Sequence, residues 1–163
     1  MKAIVALGSN LGDRFNFLQN AVIEINAISQ NRVTHISSVY ETLPVGGPAQ
    51  DNYLNAVISL ETSLNAEELL QKLLIIELNL GRERTTTWGP RTIDLDLIYF
   101  ENQSINSPNL VLPHPRAHER CFVMKPWVEI DPAANLGDTR IEEILRKLDC
   151  TGVNLFPTTL VNQ

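Results

Sequence analysis

An α+β domain is predicted by three observations: an apolar run at the amino terminus, two amphipathic segments with helical spacing, and β-branched, alternating stretches placed between and after them. Residues 2 to 8 are nearly all apolar, as expected of a mid-sheet strand buried on both faces. From residue 14 to 28, Phe15, Leu18, Val22, Ile25 and Ile28 recur at steps of three and four, giving an amphipathic helix with Asp13 placed to cap it. Residues 32 to 41 and 53 to 62 then read as the second and third strands, separated by the turn-rich Pro44-Val45-Gly46-Gly47-Pro48. Asn65 with Glu68 forms a capping box, and Leu69, Leu70, Leu73, Ile76, Glu77 and Leu80 continue as a helix closed by Gly81. A strand carrying Asp94 follows.

The resulting β-α-β-β-α-β order is the ferredoxin-like arrangement, an antiparallel sheet with two helices on one face. Beyond residue 101 the pattern predicts a short strand near residues 110 to 112, a helix around 116 to 124 and a last helix over 140 to 148. Thr139 and Glu142 are placed as a capping box for that last helix, and a tail starts at about residue 152. The whole of 1–163 reads as one domain, long enough to bury an ample core.

Composition narrows the function classes. A formal charge of −6 argues against a general grip on nucleic acid, which shows as a basic surface. No apolar run approaches the ~20 residues needed to cross a bilayer, and the chain opens on a strand pattern instead of a signal peptide, so a cytoplasmic protein acting as a monomer is expected. Cys121 and Cys150 have no partners at metal-ligand spacing and read as packing residues, without a disulfide framework.

The chemistry concentrates in Gly89-Pro90-Arg91-Thr92-Ile93-Asp94-Leu95-Asp96-Leu97-Ile98. In a strand rising about 3.3 Å per residue, Asp94 and Asp96 share one face with Cα atoms roughly 6.6 Å apart. Ile93, Leu95, Leu97 and Tyr99 are expected on the opposite, core-facing side. Two carboxylates at that separation can share one hard cation or bridge two ions about 3.5 to 4 Å apart. The bland reading of such a pair is a solvated edge. Its neighbours favour the sharper one, because residues 81 to 91 carry Arg82, Arg84 and Arg91 in a loop without apolar periodicity, and the guanidinium fork matches phosphate oxygens. On the residues alone, a regulatory ligand-binding domain and a phosphoryl or nucleotidyl transferase both stay open.

Five ordered motifs carry a resemblance: Gly8-Ser9-Asn10-Leu11-Gly12, Tyr53-Leu54-Asn55-Ala56, Gly81-Arg82-x-Arg84, Trp88-Gly89-Pro90-Arg91-Thr92-Ile93-Asp94-Leu95-Asp96 and Pro113-His114-Pro115-Arg116. From about residue 2 to 133 the chain resembles the 6-hydroxymethyl-7,8-dihydropterin pyrophosphokinases. The resemblance implies transfer of the β,γ-diphosphate of ATP to the hydroxymethyl group of a reduced pterin, with release of AMP, in folate biosynthesis. It implies two Mg²⁺ ions held by Asp94 and Asp96, with Arg82 and Arg91 as the strongest phosphate contacts. Glu77, Arg82, Arg84, Trp88, Arg91, His114 and Arg120 correspond to the ATP site. Tyr53 and Phe122 correspond to stacking faces for the pterin, Thr42 and Asn55 to its hydrogen-bonding partners, and backbone groups near Pro44 and Val45 to the rest of its edge. His35 and His118 receive no role.

The chain departs from the family pattern at three places. Thr87 stands where many members have arginine, Leu74 where a glutamine often precedes the ATP-site glutamate, and Trp127 where leucine is common after proline. Segments 9 to 14, 43 to 52 and 82 to 91 are expected to move, with ATP binding first and completing the pterin pocket.

Overall fold

The computed structural model describes residues 1–45, 47–82 and 89–163. Its centre is β1 (Lys2–Ser9), which pairs antiparallel with β4 (Tyr53–Thr62) on one side and β5 (Asp94–Phe100) on the other. This is the mid-sheet position that the apolar run implies. The predicted second strand divides into β2 (Asn31–Ile36) and β3 (Tyr40–Thr42), because β4 is long enough to pair with both: β2 lies along its second half and β3 along Tyr53 to Asn55. With β10 (Val153–Leu155) at one edge, the sheet order is β10-β3-β4-β1-β5, with β2 also on β4.

Two helices cover one face of the sheet as expected. In α1 (Arg14–Ala27) Leu18, Ala21, Val22 and Ile25 are buried, and the Asp13 carboxylate accepts the Asn16 N–H at 3.2 Å. In α2 (Ala66–Asn79) the Asn65/Glu68 capping box forms reciprocally, at 2.9 and 3.0 Å. Gly81 ends this helix with φ +79°, a left-handed conformation that glycine adopts without a Cβ clash. Between sheet and helices lies the larger core, with Val5, Leu7, Leu54, Ile58, Leu69, Leu73, Leu95 and Leu97 among its members.

The rest of the chain covers the other face. After the hairpin of β6 (Ile105–Asn106) and β7 (Val111–Leu112), a 3-10 turn (Ala117–Glu119) leads into α3 (Cys121–Ile130). The helix therefore begins later and runs further than predicted. Its Val123, Met124 and Trp127 form a second core with Ile4, Val57 and Ile98. Trp127 is fully buried, its ring centroid 5.9 Å from that of Tyr99. The hairpin of β8 (Asn135–Leu136) and β9 (Thr139–Arg140) precedes α4 (Ile141–Arg146). Thr139 belongs to β9, so the capping box expected for the last helix does not form, and Arg140 takes the N-cap without a side-chain bond.

Three expectations are corrected by tertiary pairing. Tyr99 packs on the Trp127 side and not opposite the aspartates, because the β1–β5 register shifts between Ile4 and Val5. The extra residue reverses the alternation beyond it. The expected tail instead contains β10 (Val153–Leu155), an edge strand paired with β3. Cys121 and Cys150 are joined in a disulfide, with Cα atoms 5.4 Å apart, because β10 returns the chain to the start of α3. Among the described residues, no helix is long and apolar enough to cross a membrane.

Candidate active site

Antiparallel pairing sets the carboxyl end of β1 against the start of β5 and brings Gly8 beside both Asn55 and Asp94. Side chains on the α3 side of these strands open into a cavity of about 850 Å³. This is the upper part of the usual range for small-molecule sites. Asp94, Asp96, Arg82, Arg91, His114 and Arg120 line it together with Thr42, Pro44, Val45, Tyr53, Asn55 and Phe122. Residues spread over some eighty positions of sequence thus meet in one space. Arg84 and Trp88 lie outside the described residues.

At the charged end, Asp94 is held from two sides: Arg82 Nη1 lies 2.7 Å from Oδ1 and Arg91 Nη1 donates to Oδ2 at 2.7 Å. Arg120 Nη1 lies 3.6 Å from Asp96 Oδ2. Burial in the cavity floor, with the charge of Asp94 next in importance, pushes the Asp96 carboxyl up to about 7. Two like charges in a partly desolvated site are costly, and a cation or a proton relieves them. Asp94 and Asp96 stand here as a pair, since no cluster of three or more His, Cys, Asp or Glu suited to a metal occurs among the described residues.

Glu77, expected among the ATP contacts, is absent from the cavity wall. Its carboxylate is 2% exposed, accepts the Leu95 N–H at 2.7 Å and pairs with Arg82. Burial raises its pKa, partly opposed by the Leu95 bond and the charge of Arg82. In this structure it therefore braces β5 and holds Arg82.

His114 carries its imidazole into the cavity, and its Nδ1 accepts the Arg116 N–H at 3.2 Å. Burial first, and the charge of Arg120 second, lower its pKa. A neutral ring with Nδ1 accepting bears its proton on Nε2, which leaves a donor suited to an anion.

In the same cavity, Asn55 Nδ2 donates to Thr42 Oγ1 at 2.7 Å, both side chains being buried. Asn55 Oδ1 remains for a ligand. Tyr53 and Phe122 both line the cavity, with the Arg120 guanidinium 5.7 Å from the Phe122 centroid. Burial is the main reason the Tyr53 phenol is raised.

Asn10 was quoted in a motif but given no role. It is buried, its Oδ1 accepts the Arg91 N–H at 3.0 Å, and its Nδ2 donates to Gln50 Oε1 and the Asp51 carbonyl at 2.8 and 3.1 Å. It ties together three chain segments that border the cavity. The only local signal was a polar residue directly after a buried strand. Asp149, Thr151, Gly152 and Val153, also unassigned from sequence, line the cavity as well, and no periodicity pointed to them.

Fold and cavity together define an α+β domain of the ferredoxin-like kind, with an arginine-lined anion site next to a ring-shaped slot. Residues 4–132 match the family model described as 7,8-dihydro-6-hydroxymethylpterin-pyrophosphokinase, and the chain belongs to that family. It is 47% identical over 128 residues to a Bacillus subtilis protein named 2-amino-4-hydroxy-6-hydroxymethyldihydropteridine pyrophosphokinase, covering 78% of this chain and 77% of that one. A protein of the same name from Methylorubrum extorquens is 41% identical over 152 residues, 93% of this chain and 96% of the relative. Among solved structures, a crystal structure of HPPK-DHPS in complex with substrates aligns with a TM-score of 0.69 at 12% identity, covering 89% of this chain. Plasmodium falciparum HPPK-DHPS with pteroate aligns with a TM-score of 0.70 at 13% identity over 90% of this chain. These two likenesses concern the fold, and the chain spans 43% and 42% of those longer proteins.

Proposed function

We propose that this protein transfers the β,γ-diphosphate of ATP to the hydroxymethyl group of 6-hydroxymethyl-7,8-dihydropterin, with release of AMP. The observation that carries this reading is a single cavity lined both by paired carboxylates and arginines and by the Tyr53, Asn55, Thr42 and Phe122 set. Family membership supports the same reaction.

The donor set fits magnesium. Mg²⁺ usually takes one or two protein carboxylates and fills its remaining positions with substrate phosphates and water, which matches the Asp94 and Asp96 pair. Those two residues would hold two Mg²⁺ ions, which supply charge neutralisation for the transferring group and a lowered pKa for the substrate hydroxyl. Arg82 and Arg91 bind phosphate oxygens and exchange part of their pairing with Asp94 for the nucleotide. His114 donates from Nε2, and Arg120 adds positive charge beside Asp96. Arg84 and Trp88 are proposed, from the family pattern alone, to contribute to the ATP site.

Tyr53 and Phe122 sandwich the pterin, while Asn55 Oδ1 and the backbone at Pro44 and Val45 receive its amide-like edge. Holding hydroxyl and phosphate in line accounts for most of the gain in such a transfer, so no separate general base is assigned. Nucleotide binds first and tightens the pterin pocket. Incubation with ATP, Mg²⁺ and the dihydropterin is expected to give AMP, and none without the pterin. ADP as the product would transfer the reading to a different phosphoryl transferase, and intact nucleotide would favour a ligand-binding domain.

Gly8 offers a sharper test of the pterin slot. A Cβ added there would stand 2.9 Å from Asn55 Oδ1, too close for the carboxamide to stay in place. Moving it breaks the bond to Thr42. Gly8→Ala is expected to weaken dihydropterin binding by about tenfold, equivalent to ~1.4 kcal/mol, with the far-UV spectrum unchanged. Calorimetric titration reads this directly, and an unchanged Kd would remove Asn55 from the slot.

A further inference from the structure

Residues 149 to 153 form a wall of the cavity although they lie beyond the stretch, 4–132, that matches the family model. Two independent attachments place them there. On one side β10 pairs with β3, setting Val153 opposite Thr42, so the segment is tied to the strand that bears the pterin-slot threonine. Gly152 also approaches Leu43, whose Cδ1 lies 3.4 Å from where a Cβ would stand. On the other side the Cys121–Cys150 disulfide fastens the segment to the first residue of α3, immediately before Phe122 and immediately after Arg120. Lys125 Nζ donates to the Val153 carbonyl at 3.3 Å, the weaker of the two links to that helix.

The path Phe122, Cys121, Cys150, Val153, Thr42 therefore connects two residues that line the cavity through one covalent bond and one short strand ladder. Further along α3 the helix is joined to β3 without the bridge, since Tyr40 Oη donates to Glu129 Oε2 at 2.9 Å and Lys125 Nζ lies 5.2 Å from the Tyr40 ring centroid; at the Phe122 end the disulfide is the covalent tie to residues 149 to 153, whose strand β10 has three residues, the last two exposed. Rigid walls lower the ordering cost of binding a flat ligand.

We propose that the Cys121–Cys150 bridge is a positioning clamp for the pterin slot, holding residues 149 to 153 against the start of α3 so that Phe122 and Thr42 keep their spacing, and that its reduction by a dithiol loosens this slot more than the nucleotide site, where Arg120 adjoins the bridge but Arg82, Arg91 and His114 stand on other segments. The proposal rests on the pyrophosphokinase reading of the cavity. In the reduction, a thiolate of the dithiol attacks one bridge sulfur and releases the other as a thiolate. The second thiol of the reductant then resolves the mixed disulfide. Two electrons and two protons pass to Cys121 and Cys150, and the dithiol becomes a disulfide.

The test measures the Kd of 6-hydroxymethyl-7,8-dihydropterin in the presence of Mg²⁺ and a non-hydrolysable ATP analogue, under anaerobic conditions. The oxidised protein, the protein treated with dithiothreitol and Cys150→Ser are compared, with free thiols counted in each. Reduction and Cys150→Ser are each expected to raise the dihydropterin Kd by about three- to tenfold. The Kd of the Mg²⁺-nucleotide measured without pterin should remain within about twofold, and reoxidation should restore the wild type but not the variant. Should Cys150→Ser fail to fold, dithiothreitol on the folded wild type gives the same comparison. A dihydropterin Kd that ignores the thiol state overturns the clamp, as do two thiols that oxidised glutathione cannot close, or equal weakening of both ligands. Absence of dihydropterin binding in every form would overturn the pyrophosphokinase reading itself, and the clamp with it.

Discussion

Asp96→Asn is expected to lower AMP formation by at least about 10²-fold and, in the nucleotide-free protein, to raise thermal stability at pH 8. Both effects come from one carboxylate. Its folded pKa of about 7 lies well above the ~3.9 of an unfolded aspartate. Between those values the folded chain holds a proton that the unfolded chain has released, so stability falls as pH rises from about 4 to about 7 and is level above that. Asparagine imitates the protonated side chain in shape, carries no charge, and removes this slope. The carboxylate is 36% open to the cavity, so solvent screens part of the penalty, and the melting temperature should rise by about 2 to 4 °C. Melting curves from pH 4 to 9 without metal or nucleotide read the slope, and AMP release at saturating Mg²⁺ reads the activity. A variant as active as the wild type would remove Asp96 from the proposed ion site, and a parallel pH slope would remove it as the origin of the strain.

Arg82→Ala should be more damaging to folding, because it strips the ion-pair partner from a carboxylate that is 2% exposed. Glu77 would keep the Leu95 N–H as a donor but lose its compensating charge. Breaking one side of a buried pair costs about 3–5 kcal/mol, a large share of the stability of a domain this size. The same change removes a phosphate ligand and frees one oxygen of Asp94, so activity should fall by about 10²-fold or more. The double variant Arg82→Ala/Glu77→Gln separates the two roles. Glutamine still accepts from Leu95 and brings no charge, so most of the lost stability should return while activity remains low. Denaturant unfolding and AMP release on the wild type, Arg82→Ala, Glu77→Gln and the double variant complete the cycle. Recovery of activity along with stability would show that Arg82 acts only as a brace.

Legibility followed distance along the chain. The helices over 14–27 and 66–79 were readable because periodicity and caps are local properties, and Asp13, Asn65 and Glu68 bond within three residues of themselves. The Asp94 and Asp96 pair was readable because a strand fixes alternate side chains on one face, and both do line the cavity. Even there the reading failed at Tyr99, where the irregularity depends on the partner strand as much as on β5.

Glu77 shows the opposite limit. The family resemblance assigned it to the ATP site, but its bond to the Leu95 N–H depended on where that strand, eighteen residues on, came to lie.

By itself, then, the order of residues determined the α+β class, the order of the main elements, the family and the chemistry-bearing segment, since each is written in short-range spacing or in contiguous motifs. Tertiary structure decided what long-range neighbours impose: Asn10 bonding Arg91 across 81 positions, β10 closing the sheet edge beside β3, and Cys121 meeting Cys150 across 29. The physical reason is that a backbone pattern specifies which face a residue takes within its own element. Its partner across the cavity is selected only when the apolar faces pack and the remaining polar groups must find one another.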